Sequence, residues 1–327
     1  MGNFTEIQNE FNLRLKIALQ PYLNECSNNH IPPDNNRIID IQQNTINAFR
    51  MESIQKLAAH TKRNIICYYS TWLQGNQNNP NPEVMINDND INGFMNAISK
   101  MDKNKGLDLV LHTPGGVTTA TECLVKYIRK IFKLNINVIV PQLAMSAGTL
   151  IACSAKKIFM GKESSLGPVD PQYHNVPAQG VIKEFNRAMD ETCTIPNRSL
   201  IWREIIRQYR PSFIGECENV VKLTEDLLQD WLSSCMLKYS KNKEKKIEII
   251  KNELIDHDAS KVHDRHYDFN KCKKIGLNVK ALEDDPILQD LVLSVHHTYL
   301  LSAYVIPTSI KFIESNIGNS FIINGKR

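Results

Sequence analysis

Short apolar runs separated by polar or amphipathic sequence mark the middle of the chain. Ile65-Ile66-Cys67-Tyr68-Tyr69, Leu107 to Leu111 and Val138-Ile139-Val140 are too short for helices and lack polar alternation, which predicts strands covered on both faces. Lys157 to Met160 predicts a fourth strand. A polar loop, Gly75 to Pro82, and an amphipathic segment, Asp90 to Met101, fill the first interval. The second holds the clearest helix: Ala120, Cys123, Leu124, Tyr127, Ile128, Ile131 and Phe132 recur at three- and four-residue steps, and Thr119 with Glu122 reads as a capping box. Strand, helix, strand with short connections implies an α/β fold with a parallel sheet and right-handed crossovers. Functional residues in such sheets gather at the carboxyl ends of the strands. His112-Thr113-Pro114-Gly115-Gly116 and Pro141 to Thr149 fall there.

The flanks read as helical. Residues 1 to about 60 are polar, with a break at Pro32-Pro33 and Asn35-Asn36. Helical periodicity also dominates from about Gln179 to Asn252, ending in the charged run Lys241 to Lys246, which reads as a solvated helix face or turn. The expected organisation is a helical N-terminal extension over 1–62, a core over 63–195, and a helical C-terminal region over 196–327 that completes the core and supplies oligomer contacts.

Composition narrows the classes. The 39 Lys and Arg against 35 Asp and Glu leave +4, too weak a field over 327 residues to argue for nucleic acid. The eight cysteines contain no C-x-x-C pair and no zinc-ligand spacing, and read as buried free thiols in a reducing compartment. The first residues lack the apolar core of a signal peptide, position 6 does not support myristoylation of Gly2, and no apolar stretch has the length to cross a bilayer. A soluble cytoplasmic protein is the expectation, with peripheral membrane association left open.

Ser146 follows a buried strand and opens an apolar run, Leu150 to Cys153, between the small residues Ala144, Ala147 and Gly148. That placement suits a nucleophile approached by a substrate backbone; it also suits a plain helix cap, which serine makes well. The Pro-Gly-Gly turn at Gly115 and Gly116 presents backbone N–H groups without a Cβ in the way, as a cradle for a carbonyl oxygen requires, or is an ordinary glycine loop.

From about Arg63 to Gln172 the chain resembles the serine dehydrogenase proteinase family, a branch of the superfamily of signal peptide peptidase A and the Clp proteolytic subunit. The words that carry the resemblance are Leu107 to Gly116, Ala144-Met145-Ser146-Ala147-Gly148-Thr149 and Leu166-Gly167-Pro168-Val169-Asp170-Pro171-Gln172. His263-Asp264 before Ile275-Gly276-Leu277, and Lys311 to Gly318, are similar to later parts of the family pattern. The resemblance implies a crotonase/ClpP-like fold of repeated ββα units in a superhelix. It implies an ATP-independent serine peptidase with Ser146 as nucleophile, and an oxyanion hole made by the Ala147 N–H and that of Gly115 or Gly116. It further implies a peptide or protein substrate, self-association into a homo-oligomer, and no cofactor or metal.

The general base has two candidates by the same resemblance. Lys183 lies in the interval of a lysine base, although a helix over Ala178 to Asp190 would bury Val181, Ile182, Phe185, Ala188 and Met189 and leave Lys183 off that face. His174 is the alternative, close to the Clp-type position. Asp170 would orient the base or cap a turn, and His263 with Asp264 is a supporting pair or structural. His112 lines the cleft or is a core histidine. His296-His297 has no partner at metal-ligand spacing. No G-K-[ST] follows the glycines, and no G-x-G-x-x-G follows a strand, so neither a phosphate loop nor a nicotinamide or pyridoxal cofactor is expected. The competing readings are a crotonase-type acyl-CoA enzyme, which uses paired N–H groups but needs no serine there, and a catalytically silent oligomeric scaffold.

Overall fold

The computed structural model describes residues 2–75, 81–169, 171–173, 176–255 and 265–325. Two helices come first, α1 (Phe4–Asn28) and α2 (Asn35–Thr61), capped by Asn3 on the Glu6 N–H and by Asp34 on the Asn36 N–H. The chain continues through β1 (Asn64–Ser70), α3 (Asp90–Ile98), β2 (Leu107–His112), α4 (Thr118–Phe132) and β3 (Ile136–Val140). A short strand β4 (Leu143–Ala144) leads into α5 (Ala147–Cys153), then come β5 (Lys157–Met160) and β6 (Ser165–Leu166). An antiparallel pair, β7 (Gln172–Tyr173) and β8 (Val176–Pro177), precedes α6 (Ala178–Thr194), α7 (Ser199–Ile206), α8 (Phe213–Trp231) and α9 (Lys243–Leu254). The described chain closes with α10 (Phe269–Ile275), β9 (Val279–Ala281), α11 (Pro286–Val305), β10 (Ser309–Ser315) and β11 (Ser320–Asn324).

The main sheet has seven strands in the order β11-β10-β1-β2-β3-β5-β9. From β1 to β9 every pairing is parallel, whereas β10 and β11 add an antiparallel edge. Every residue of β1 and β2 is buried, the reason these strands carry apolar runs rather than alternation. On one face Tyr68, Leu109, Leu111 and Val138 pack with Phe94 of α3, Ile128 of α4 and Trp231 of α8. On the other, Cys67, Tyr69, Val110 and Ile139 meet Leu57 of α2 and Val292 and Tyr299 of α11. The buried Arg50–Glu314 pair at 2.6 Å ties α2 to β10, and the Tyr299 hydroxyl donates to the same carboxylate. A smaller cluster apart from these holds Ala178 and Val181 of α6 against Phe213 and Cys217 of α8.

A second row of short pairings runs beyond the carboxyl ends of the strands. Ile86 bridges Gly116, Thr113 bridges Ala144, β4 pairs β6, and Leu166 bridges Tyr267. After β1, β2 and β3 the chain thus makes a short second pairing before its next helix, the ββα unit expected of a crotonase/ClpP-like α/β fold.

Several local expectations change. α4 begins at Thr118 with Val117 as its cap residue and no side-chain cap, because the Val117 N–H is already tied to the Ile86 carbonyl. Thr119 therefore lies inside the helix, and Glu122 pairs with Lys126 instead. Met189 is exposed rather than on the buried face of α6, and Cys123 and Cys193 are exposed while the other six cysteines are buried. No described helix is long and apolar enough to cross a membrane.

Candidate active site

Residues 113–117 and 143–147 lie side by side where β2 and β3 end. The Thr113 N–H donates to the Leu143 carbonyl and the Met145 N–H to that of Thr113, each at 3.0 Å. Ser146 then takes φ +51° and ψ −117°, a conformation costly for any residue but glycine, of order 1–3 kcal/mol. It occupies the cap position of α5, yet its side chain caps nothing, and among the described residues its hydroxyl makes no hydrogen bond. The reading of Ser146 as a plain N-cap therefore loses its physical basis.

The glycine turn is built against this serine. Gly115 has φ +106°, and a Cβ there would lie 2.7 Å from the Ser146 Cβ, so only glycine permits the approach. Gly116 has φ +156°, and a Cβ on it would lie 2.3 Å from the Ile86 carbonyl oxygen. The Gly115 carbonyl accepts from Ile86 and the Val117 N–H donates to Ile86, which turns the intervening Gly116 N–H away from that strand. Among the described residues the N–H groups of Gly116, Ser146 and Ala147 find no acceptor, and those of Gly116 and Ala147 are the pair suited to a carbonyl oxygen attacked by Ser146. The Gly115 N–H is already used, donating to Thr113 Oγ1 at 3.1 Å.

Beneath the turn lies a buried polar network that the sequence pattern did not reveal. Lys311 of β10, fully buried, donates to Asp90 Oδ1 at 2.6 Å and to the Met85 carbonyl at 2.8 Å. Asp90 Oδ2 accepts from the Tyr68 hydroxyl at 2.7 Å and from the Asn87 N–H at 3.1 Å. Met85 and Asn87 flank Ile86, so the network fixes the strand against which Gly115 and Gly116 are pinned. Burial pushes the Asp90 carboxyl up and the Lys311 ammonium down from their ordinary values, and their contact offsets this for both. Thr149, also buried, accepts from the Gly167 N–H and donates to the Ala144 carbonyl, tying the loop after β6 to the serine turn. A lysine inside an apolar strand is the only sequence signal that marks this support.

The other candidates are placed differently. Lys183 is exposed on α6 and lines a surface pocket with Gly180, Glu184, Arg187 and Trp202 that includes none of Ser146, Gly115 and Gly116. Asp170, His174, His263 and Asp264 lie outside the described residues. His112 is fully buried, with Nδ1 3.0 Å from the Ser70 carbonyl and Nε2 3.1 Å from Gln142 Oε1. Its ring stacks on Tyr69 with centroids 4.2 Å apart. Burial lowers its pKa to about 4, against the opposing Ser70 and Gln142 contacts, so it is a neutral core histidine. His296 is likewise buried, with Nδ1 3.0 Å from the Tyr69 hydroxyl, and among the described residues no group of His, Cys, Asp and Glu could hold a metal.

The model of the ClpP-like SDH-type serine proteinases matches residues 41–292, and the chain belongs to that family. It is 33% identical over 186 residues to the uncharacterized protein MJ0137 of Methanocaldococcus jannaschii, a match covering 57% of this chain and 57% of the relative. A second uncharacterized protein of that organism, MJ1495, is 29% identical over 188 residues, 58% of this chain and 56% of the relative. The matched stretch thus spans a little over half the length of these curated relatives.

Proposed function

We propose that the chain is an ATP-independent serine peptidase in which Ser146 attacks the peptide carbonyl. One observation carries this reading: Ser146 is held at positive φ at a helix entrance with its hydroxyl unused, against a glycine turn whose Gly116 N–H, like that of Ala147, has no acceptor among the described residues. In this mechanism the Ser146 Oγ bonds to the carbonyl carbon, its proton passes to a general base, and the carbonyl oxygen becomes an oxyanion held by the Gly116 and Ala147 N–H groups. Collapse expels the amine, which takes the proton, and water cleaves the acyl-enzyme. Between the two glycines the reading favours Gly116, because the Gly115 N–H is engaged by Thr113.

Lys183 is proposed as the base, with His174 the alternative and Asp170 its orienting group. A lysine accepts a proton near neutral pH only when burial disfavours its charged form, so this role requires Lys183 to be desolvated against the serine turn of this chain or of a second copy. Self-association supplies such a cover. The α6–α7 segment carries Met189 at 60%, Leu200 at 62% and Ile201 at 63% exposure, an apolar set that a homo-oligomer would bury.

A fluorophosphonate probe tests the nucleophile: wild type labels, and Ser146→Ala, folded by its melting curve, does not. Equal labelling of both rejects the assignment. Mixing Ser146→Ala with Lys183→Met chains tests the base in trans, since recovered hydrolysis requires one chain to lend its lysine to another's serine. Loss of neither Lys183 nor His174 affecting hydrolysis removes both as bases.

A further inference from the structure

The amino ends of β3, β5 and β9 open on a cavity of about 760 Å³, at the end of the sheet opposite the serine turn. Four lysines reach it from separate elements: Lys133 before β3, Lys156 before β5, Lys238 after α8 and Lys246 on α9. Among the described residues no Asp or Glu lines it. Among the described residues none of the four ammonium groups is ion-paired, and the half-buried Lys246 donates to Ser240 Oγ at 2.7 Å. Lys246 belongs to the charged run that reads in sequence as a solvated face; the fold turns its side chain into the cavity instead.

Gathering like charges around a concavity costs free energy, and ordinary surfaces avoid it by interspersing both signs. This chain has nearly as many acids as bases, so their absence from the described lining of this cavity is local. Cys235 in the cavity wall reports the convergence: burial raises its thiol, while Arg129, Lys156 and Lys238 all pull against that rise. The same wall is formed by a π-helical turn, Leu232–Met236, of a kind that recurs at functional sites. It delivers Tyr239, 90% exposed, to the rim, with the Lys238 ammonium 5.2 Å from the ring centroid.

We infer that this cavity binds a nucleoside polyphosphate, its phosphates held by Lys133, Lys156, Lys238 and Lys246 and its base stacked on Tyr239. The volume lies within the roughly 300–1,000 Å³ of small-ligand sites. Charges that converge on a hollow, in a chain of net charge +4, fit a compact polyanion better than an extended one. Among the described residues the cavity has no carboxylate to hold a magnesium ion, and the chain has no G-K-[ST] loop, which fits a nucleotide bound and not hydrolysed.

Isothermal titration of the full chain with ATP, inorganic triphosphate and adenosine tests this independently of any peptidase activity. ATP and triphosphate are expected to bind, more weakly as salt rises, and adenosine to bind at least about tenfold more weakly than ATP. Lys156→Ala and Lys238→Ala, each checked for folding by its melting curve, are expected to weaken both phosphate ligands about tenfold. Tyr239→Ala is expected to weaken ATP about fivefold and leave triphosphate unchanged. The inference is overturned if ATP and triphosphate do not bind the folded chain, or if adenosine binds as well as ATP. It is equally overturned if the lysine variants keep wild-type affinity, or if a single-stranded RNA oligonucleotide binds and saturating ATP does not displace it.

Discussion

The serine turn and the helix that bears Lys183 stand on different foundations. Ser146, Gly115 and Gly116 lie at the carboxyl ends of main-sheet strands, beside the core residues Ile86, Ala144 and Ala147 and supported by the buried Lys311–Asp90 pair. α6 rests on a satellite cluster of Ala178, Val181, Phe213 and Cys217, and its outward face is open. Backbone N–H groups must be held to a fraction of an ångström to act on an oxyanion, which a sheet core secures. A base on a thinly packed helix can be moved or covered, which suits control by assembly. On the proposed assignment, the nucleophile Ser146 and the base Lys183 stand on separately anchored elements.

The largest expected effect breaks the comparison at its centre. Ser146→Ala should lower peptide hydrolysis at least about a thousandfold, while thermal unfolding stays within about 0.5 kcal/mol of wild type. A large stability loss would show the serine to be structural. Next, Lys311→Met strands a buried Asp90 and should cost about 3–5 kcal/mol in urea unfolding, part of it recovered in the Asp90→Asn, Lys311→Met double variant. No recovery would mean that packing of the lysine stem, rather than charge, supports the glycine turn.

Acid sharpens the contrast. His112 has its folded pKa depressed to about 4 by burial, so the unfolded chain takes a proton first as pH falls below the ordinary value of 6.5. The stability tied to its neutral ring is whole above that value and declines from pH 6.5 to 4, by about 3 kcal/mol at the lower end. His296, also lowered by burial, acts in the same direction. The helices from α6 to α8 contain no histidine, so acid in this window should strike the sheet first. His112→Gln should flatten part of the profile in chemical denaturation measured across that range; an unchanged slope would assign it elsewhere.

The smallest effect concerns the satellite cluster. Phe213→Ala should cost about 1–2 kcal/mol, speed amide exchange in α6 and leave that of β1 to β3 unchanged, whereas Phe94→Ala, in the main core, should cost about 3–5 kcal/mol globally. Equal costs would mean that α6 is no less anchored than the sheet.

Much of this architecture is legible in the residues. The runs at 65–69, 107–111, 138–140 and 157–160 are strands because each is covered on both faces or most of them, and burial on two sides removes alternation. The word Ala144 to Thr149 and the paired glycines locate the serine turn because small side chains and positive φ are chemical necessities there. Less legible were α4's start, decided by the Val117–Ile86 bond, and the antiparallel edge, where β10 pairs with β1 more than two hundred residues away in sequence. Lys246 shows the limit most plainly: its run of charges has one sequence pattern and two environments.

By itself the sequence determined the α/β class, the site of the serine turn and its glycines, since periodicity and steric permission are local properties. Only the tertiary structure decided that the Ser146 hydroxyl caps nothing, that Gly116 rather than Gly115 has its N–H unengaged, and that Lys311 lies beneath the turn. It alone gathered four lysines into one cavity. Hydrogen-bond partners and charge neighbours are set by which distant segments the core brings together, and no local pattern records that choice.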